Sequence, residues 1–169
     1  MAMKGSYAWW RANYATDPSY AAVAAVLTPL GIDCKEVEVD HFPPNAAYSG
    51  TKYDQSLKET KRPAFPLPKY LHRYHRGDGG MGYHASTTGR TFVQSGWTGE
   101  LKGHMSVGNF YAAMRQDIID KQNVAYCVCE DRHLFDVLMR PAVDLALFHG
   151  LISSLEAHQI YVDQFGETP

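Results

Sequence analysis

Between Tyr70 and Gly108 the chain reads Tyr-Leu-His-Arg-Tyr-His-Arg-Gly-Asp-Gly-Gly-Met-Gly-Tyr-His and runs on to Lys-Gly-His-Met-Ser-Val-Gly. Nine of the 14 glycines fall inside this stretch. Glycine loses more backbone freedom on ordering than any other residue, so such a run argues against a long regular element. His72, His75, His84 and His104 lie in it too, half of the eight histidines. Just upstream, Pro63, Pro66 and Pro68 fix φ and remove amide donors, which favours extended backbone. Residues 41–105 are therefore expected to form a long irregular arm rich in Pro, Tyr and Gly. Phe42, Tyr48, Tyr53, Phe65, Leu67 and Tyr70 recur through it. That is too apolar for a disordered linker, so the arm needs a surface to lie on.

Regular structure is expected on either side. Asp17 caps and Pro18 opens a helix near 18–28, which Thr28-Pro29-Leu30-Gly31 stops. From Glu36 to Asp40 acids alternate strictly with Val37 and Val39, which predicts a strand near 34–39 with one solvated, acidic face. Ser106 is the expected N-cap of a helix over 107–122, with Phe110, Met114 and Ile118 on one face. Val124–Cys129 has strand character, and the apolar period over 131–164 predicts a helix kinked or restarted at Pro141. The fold class is α+β: a small mixed core of helices with a few short strands, in a single domain 1–169, carrying the arm.

Composition removes several function classes. A net charge of −2 gives no overall basic field, so nucleic acid is disfavoured as a main partner. Lys52, Lys58, Lys61, Arg62, Lys69, Arg73 and Arg76 stand against only Asp54 and Glu59, so the arm is locally basic. That suits an acidic protein surface or lipid headgroups. No run is long and apolar enough for a transmembrane helix. Cys34, Cys127 and Cys129 make a poor disulfide framework, which points to a reducing compartment. The N-terminus has no acid before Asp17, a weak mitochondrial signal with cytoplasm as the alternative.

Four motifs invite chemistry. Gly77-Asp-Gly-Gly-Met-Gly82 matches Gly-x-Gly-x-x-Gly but has neither a buried strand before it nor a helix after it. His84-Ala-Ser86 and His104-Met-Ser106 could serve as acid and base around a phosphodiester, with Ser86, Ser106 and Arg76 on phosphate. That pair resembles the two-histidine phosphoesterases, although here the motifs are close in sequence. Arg76, Ser86-Thr87-Thr88 and Glu100 are similar to the Arg, Ser-Thr-Ser, Glu series of ADP-ribosyltransferases, at compressed spacing and without the Glu-x-Glu element. Cys127, Cys129 and His133 are the alternative metal set, with Cys34 or His149 as a fourth ligand; buried thiols are the ordinary reading, and no metal or cofactor is expected.

No motif has both the residues and the context its chemistry requires. The expectation is a non-catalytic accessory or scaffolding subunit of a multiprotein complex, most specifically a mitochondrial respiratory or ATP synthase complex. Its partners would be other subunits, met through Trp9, Trp10, Phe65, Tyr70, Arg73, Tyr74 and Arg76. The alternatives are the small phosphoesterase or nucleotide-handling enzyme using His84 and His104, and a virion structural protein.

Overall fold

The computed structural model describes residues 1–72 and 92–168, with side chains in the second stretch from residue 99. The fold is α+β. Its elements are α1 (Tyr7–Asn13), α2 (Pro18–Leu27), β1 (Val37–His41), α3 (Asn45–Tyr48), α4 (Lys52–Ser56), β2 (Ala64–Pro68) and α5 (Lys69–His72). Then come α6 (Phe92–Ser106), α7 (Phe110–Cys129), α8 (Asp136–Phe148) and α9 (Ser154–Gln159), the last running into a π-helical turn over Ile160–Gln164. No helix among the described residues is long and apolar enough to cross a membrane.

β1 and β2 form a two-stranded antiparallel sheet in which Val37 faces Pro68 and His41 faces Ala64. The prolines fit because of register. Phe42 N–H bonds the Pro63 carbonyl and Lys69 N–H bonds that of Glu36. Every second residue of β2 therefore turns its amide away from β1, and Pro66 and Pro68 occupy those positions. Ala64, in the same set, sends its N–H to the Gly5 carbonyl instead. Gly5 sits at φ +90°, and a Cβ there would collide with the Pro141 carbonyl, so only glycine lets this segment pass between β2 and α8.

The described part of the arm lies on its own core. Tyr48, Phe42, Phe65, Leu67 and Leu71 are buried with Trp10, Phe110, Met114, Ile118 and Leu138. Residues 92–106 are helical despite their glycines: Gly99 and Gly103 face open solvent, while Leu101 and Met105, four apart, are buried. The packed face outweighs the ~1 kcal/mol that each exposed glycine costs.

Three other boundaries move. α7 starts at Phe110 with Asn109 as its cap, and Ser106 closes α6 instead. The expected strand 124–129 is the last third of α7, because Val124 and Ala125 continue the buried face of Asp117, Ile118 and Lys121. The expected helix over 131–164 is interrupted after α8, where Gly150 takes φ +70°, and restarts at the capping box of Ser153 and Glu156. Pro141 is accommodated inside α8.

The strand expected near 34–39 lies at 37–41, and its faces are reversed. Asp40 is buried rather than solvated, while Val37 and Val39 are only partly covered. Alternation gave the period of this strand; charge on α7 decided which face turned inward.

Candidate functional site

The reversed face of β1 is the start of the site. Glu38 and Asp40 are two residues apart, so both project to the same side. β2 returns the chain antiparallel and delivers α5, and α5 places His72 between the two acids. His72 Nδ1 lies 3.1 Å from Glu38 Oε1, and its Nε2 lies 3.1 Å from Asp40 Oδ1. Burial alone would lower the pKa of His72, but Asp40 and Glu38 outweigh it and the net direction is upward.

α7 brings a second set of charges against Asp40 from behind. The Lys121 ammonium is fully buried, 2.6 Å from Asp117 Oδ1, 3.5 Å from Asp120 Oδ2 and 3.6 Å from Asp40 Oδ2. Burial disfavours that charge, yet Asp117, Asp40 and Asp120 hold the lysine pKa above its ordinary value. Glu38, Asp40, Asp117 and Asp120 together outnumber Lys121 and His72. Asp117 is where the surplus shows: burial pushes its pKa up to about 8 against the pull of the adjacent ammonium.

His41 ends β1 beside Asp40 and faces a different environment. Its Nε2 is 3.2 Å from the Glu59 carbonyl oxygen, which can only accept, so Nε2 carries the proton and Nδ1 carries the lone pair. Tyr7 stacks on the imidazole at 4.3 Å with an interplanar angle of 8°. Burial lowers the His41 pKa, more than Asp40 and Glu59 raise it, so the ring is neutral at pH 7. Tyr7 is held there because residues 5–7 hang on β2: Tyr7 N–H bonds the Arg62 carbonyl, and Ser6 bridges Pro63 and caps α1. Arg11, one turn along α1, donates to the Tyr7 hydroxyl at 3.0 Å.

These groups converge on one polar cleft of 540 Å³, with Glu38, Asp40, His41 and His72 in its lining and Tyr7, Arg11, Asn45 and Glu59 around it. The loop that supplies Glu59 is fastened by Arg62. That buried guanidinium donates to the Leu57 carbonyl at 3.0 Å and to Asp54 Oδ1 at 2.8 Å, contacts Asn45 Oδ1, and lies over the Tyr48 ring.

The arrangement would take a divalent cation only by giving up a proton. Asp40 Oδ1 and His72 Nε2, 3.1 Å apart and joined by a proton, would hold the ion in that proton's place, so binding would release it. Glu38 on the other ring nitrogen is the carboxylate that orients a ligating histidine. No group of three or more His, Cys, Asp or Glu among the described residues is arranged to enclose a metal. An ion held by Asp40 and His72 would draw its remaining ligands from water and substrate.

The residues singled out from sequence are dispersed. Arg73, Tyr74, Arg76, His75, His84 and Ser86 lie outside the described residues. His104 pairs with Gln116 Oε1 across α6 and α7, and Ser106 ends α6. Trp10 and Phe65 are fully buried in the chain's own core, whereas Tyr70 is exposed and Trp9 partly covered. Cys127 and Cys129 lie on α7, where residues two apart point to nearly opposite sides, and His133 pairs with Asp136. Asp40, His41, Asp117 and Lys121 carried no weight in the sequence reading. A signal was present: Asp117 and Lys121 are four apart on the apolar face of α7, where charge is out of place.

The chain matches no family model, and no curated protein or solved structure matches it significantly.

Proposed function

We propose that this chain is a cation-assisted phosphodiester hydrolase, with His41 as general base and Asp40 and His72 as cation ligands. The observation that carries the reading is the placement of three groups by one hairpin and the helix after it. Asp40 and His72 present donors 3.1 Å apart, and the adjacent His41 is a neutral imidazole whose tautomer the Glu59 carbonyl sets. An acid-lined cleft repels an anionic substrate unless a cation neutralises it, and a bound divalent ion polarises phosphate oxygens as a Lewis acid. Arg11 on the rim and the exposed Lys58 and Lys61 beside Glu59 favour the same substrate charge.

The residues then have separate tasks. Glu38 orients His72. Asp40 and His72 would hold the cation, which would neutralise and polarise the substrate phosphate. A water beside phosphorus gives a proton to His41 Nδ1 as its oxygen bonds to phosphorus. The bond to the leaving oxygen breaks, and that oxygen takes a proton from solvent. Tyr7 keeps the imidazole plane fixed through the cycle.

The accessory-subunit reading, mitochondrial or otherwise, drew on the acid-poor N-terminus and on an arm expected to lie on its own domain or on a partner. The described part of the arm covers its own core. The test is hydrolysis of bis(p-nitrophenyl) phosphate and of DNA by purified protein with Mg²⁺, Mn²⁺ or Zn²⁺. His41→Ala and Asp40→Asn are each expected to cost about 100-fold or more in kcat/KM, the scale of losing a base or a charge-stabilising group. Turnover that chelator and both substitutions leave untouched sinks the proposal.

A further inference from the structure

We infer that His133 is a phosphoryl-acceptor site at Nε2, with Asp136 as its positioning residue. The inference depends neither on the cation nor on the reaction proposed above. His133 lies in the turn between α7 and α8, and Asp136 opens α8. His133 Nδ1 is 2.6 Å from Asp136 Oδ2. An ionised carboxylate only accepts, so Nδ1 carries the proton and Nε2 carries the lone pair. The imidazole is half-exposed, whereas Asp136 is mostly covered. A small molecule can reach the ring while its carboxylate partner stays sheltered.

The pair is anchored from behind. The other Asp136 oxygen, Oδ1, accepts from Gln122 Nε2 at 3.1 Å, and the same amide nitrogen donates to the Gln164 carbonyl at 2.7 Å. Gln122 is buried on α7, and Gln164 ends the π-helical turn Ile160–Gln164. An exposed ion pair adds little to stability on its own, yet here three segments converge to fix its carboxylate. Burial pushes the Asp136 pKa upward, and the bonds from Gln122 and His133 pull against it, so the carboxylate depends on those two donors. Single π-helical turns recur at functional sites, and this one lines a polar pocket of 330 Å³ together with His133. Arg132 and Asn123 line it too, a cation and an amide suited to phosphoryl oxygens. Asp163 is also in the lining and opposes an anion, so Asp163→Asn is expected to speed the transfer.

The step balances on these groups. The Nε2 lone pair forms a bond to the phosphorus of a small phosphoramidate, the donor's P–N bond breaks, and its protonated nitrogen leaves as ammonia. The ring takes on positive charge as the new bond forms, and Asp136 neutralises it through Nδ1–H.

Incubation of the purified protein with phosphoramidate, read by peptide mass spectrometry and ³¹P NMR, is the test. The first phosphoryl group is expected at His133, added at least tenfold faster than at His158, an exposed histidine of α9. Asp136→Asn is expected to bring His133 down to the rate of His158. Asp136→Glu, which restores the carboxylate, is expected to stay within threefold of wild type. Arg132→Ala is expected to slow phosphoramidate fivefold or more, while the neutral acylating reagent diethyl pyrocarbonate stays within twofold. If Asp136→Asn does not fold, Gln122→Leu takes its place, with a loss of at least threefold expected at His133. Equal rates at His133 and His158 in wild type overturn the inference, as does a folded Asp136→Asn that reacts like wild type. A preference for His133 with diethyl pyrocarbonate but not with phosphoramidate also overturns it, because the ring is then a nucleophile with no phosphoryl site around it.

Discussion

Two buried cations hold this molecule together, and they do so in different ways. Arg62 divides its donors among the Leu57 carbonyl, Asp54 and Asn45 and stacks on Tyr48; its charged partner Asp54 reaches solvent. Lys121 sits among three carboxylates, with its own side chain and that of Asp117 fully enclosed. A planar guanidinium spread over backbone oxygens is a staple for a loop. A compact ammonium among converging acids, next to a histidine that joins one of them, Asp40, to Glu38, concentrates more charge than packing requires. The difference separates the part of the fold that is fastened from the part that is poised, and perturbed buried charge in a cleft is where chemistry tends to sit.

The comparison can be broken by substitution. Lys121→Ala leaves Asp117 buried without its ammonium, and is expected to destabilise by about 3–5 kcal/mol in urea unfolding. The Lys121→Met/Asp117→Leu pair should recover all but about 1 kcal/mol of that, because an apolar replacement of a buried pair is often neutral. Arg62→Ala should cost about 3 kcal/mol from lost charged hydrogen bonds and stem packing. No change at Asp54 should recover it, since the backbone acceptors remain unmet. If Arg62 and Lys121 respond alike, with pairwise rescue at both, the distinction between staple and poised charge fails.

Smaller effects sharpen the contrast. Tyr7→Ala removes the stack on His41 and should cost about 1 kcal/mol of stability, with a larger fractional loss in kcat than in KM if the ring orients the base. Titration gives the mildest signal. The folded-state pKa of Asp117 is raised to about 8, so between its unfolded value and pH 8 the folded chain holds a proton that the unfolded chain has released. Its contribution to stability therefore falls as pH rises through that window. His72, raised for its own reasons, tilts the same way: its contribution is full below the unfolded pKa and is lost as pH climbs through the folded one. Asp117→Asn carries no such proton, so the melting temperature of wild type relative to this variant should drop from pH 5 to pH 8. A constant difference would contradict the assignment.

Much of the frame was legible in the chain. Asp17-Pro18 marked α2 to within a residue, and the acid–valine alternation marked β1 to within a few. The direction in which β1 faced was not legible, because alternation says that two faces differ but not which one meets a helix bearing Lys121. Val124–Cys129 read as strand because β-branched and aromatic residues dominate it, yet tertiary contact along α7 overrode that preference. Glycine density suggested a loop at 92–106, since a count does not show that Gly99 and Gly103 share the solvent side of a helix. The cluster was illegible for a related reason. It is no contiguous motif: His72 meets Asp40 only once β2 has turned the chain back, and Lys121 arrives from a helix far along the chain.

The proposed reaction requires Asp40 and His72 to take up one cation at the cleft. Calorimetric titration of Mn²⁺ into wild type and His72→Ala is the decisive measurement. One ion per chain in wild type, bound at least tenfold more weakly in the variant with the fold intact, is the predicted result. Absence of binding in wild type, or equal affinity in the two proteins, would contradict it.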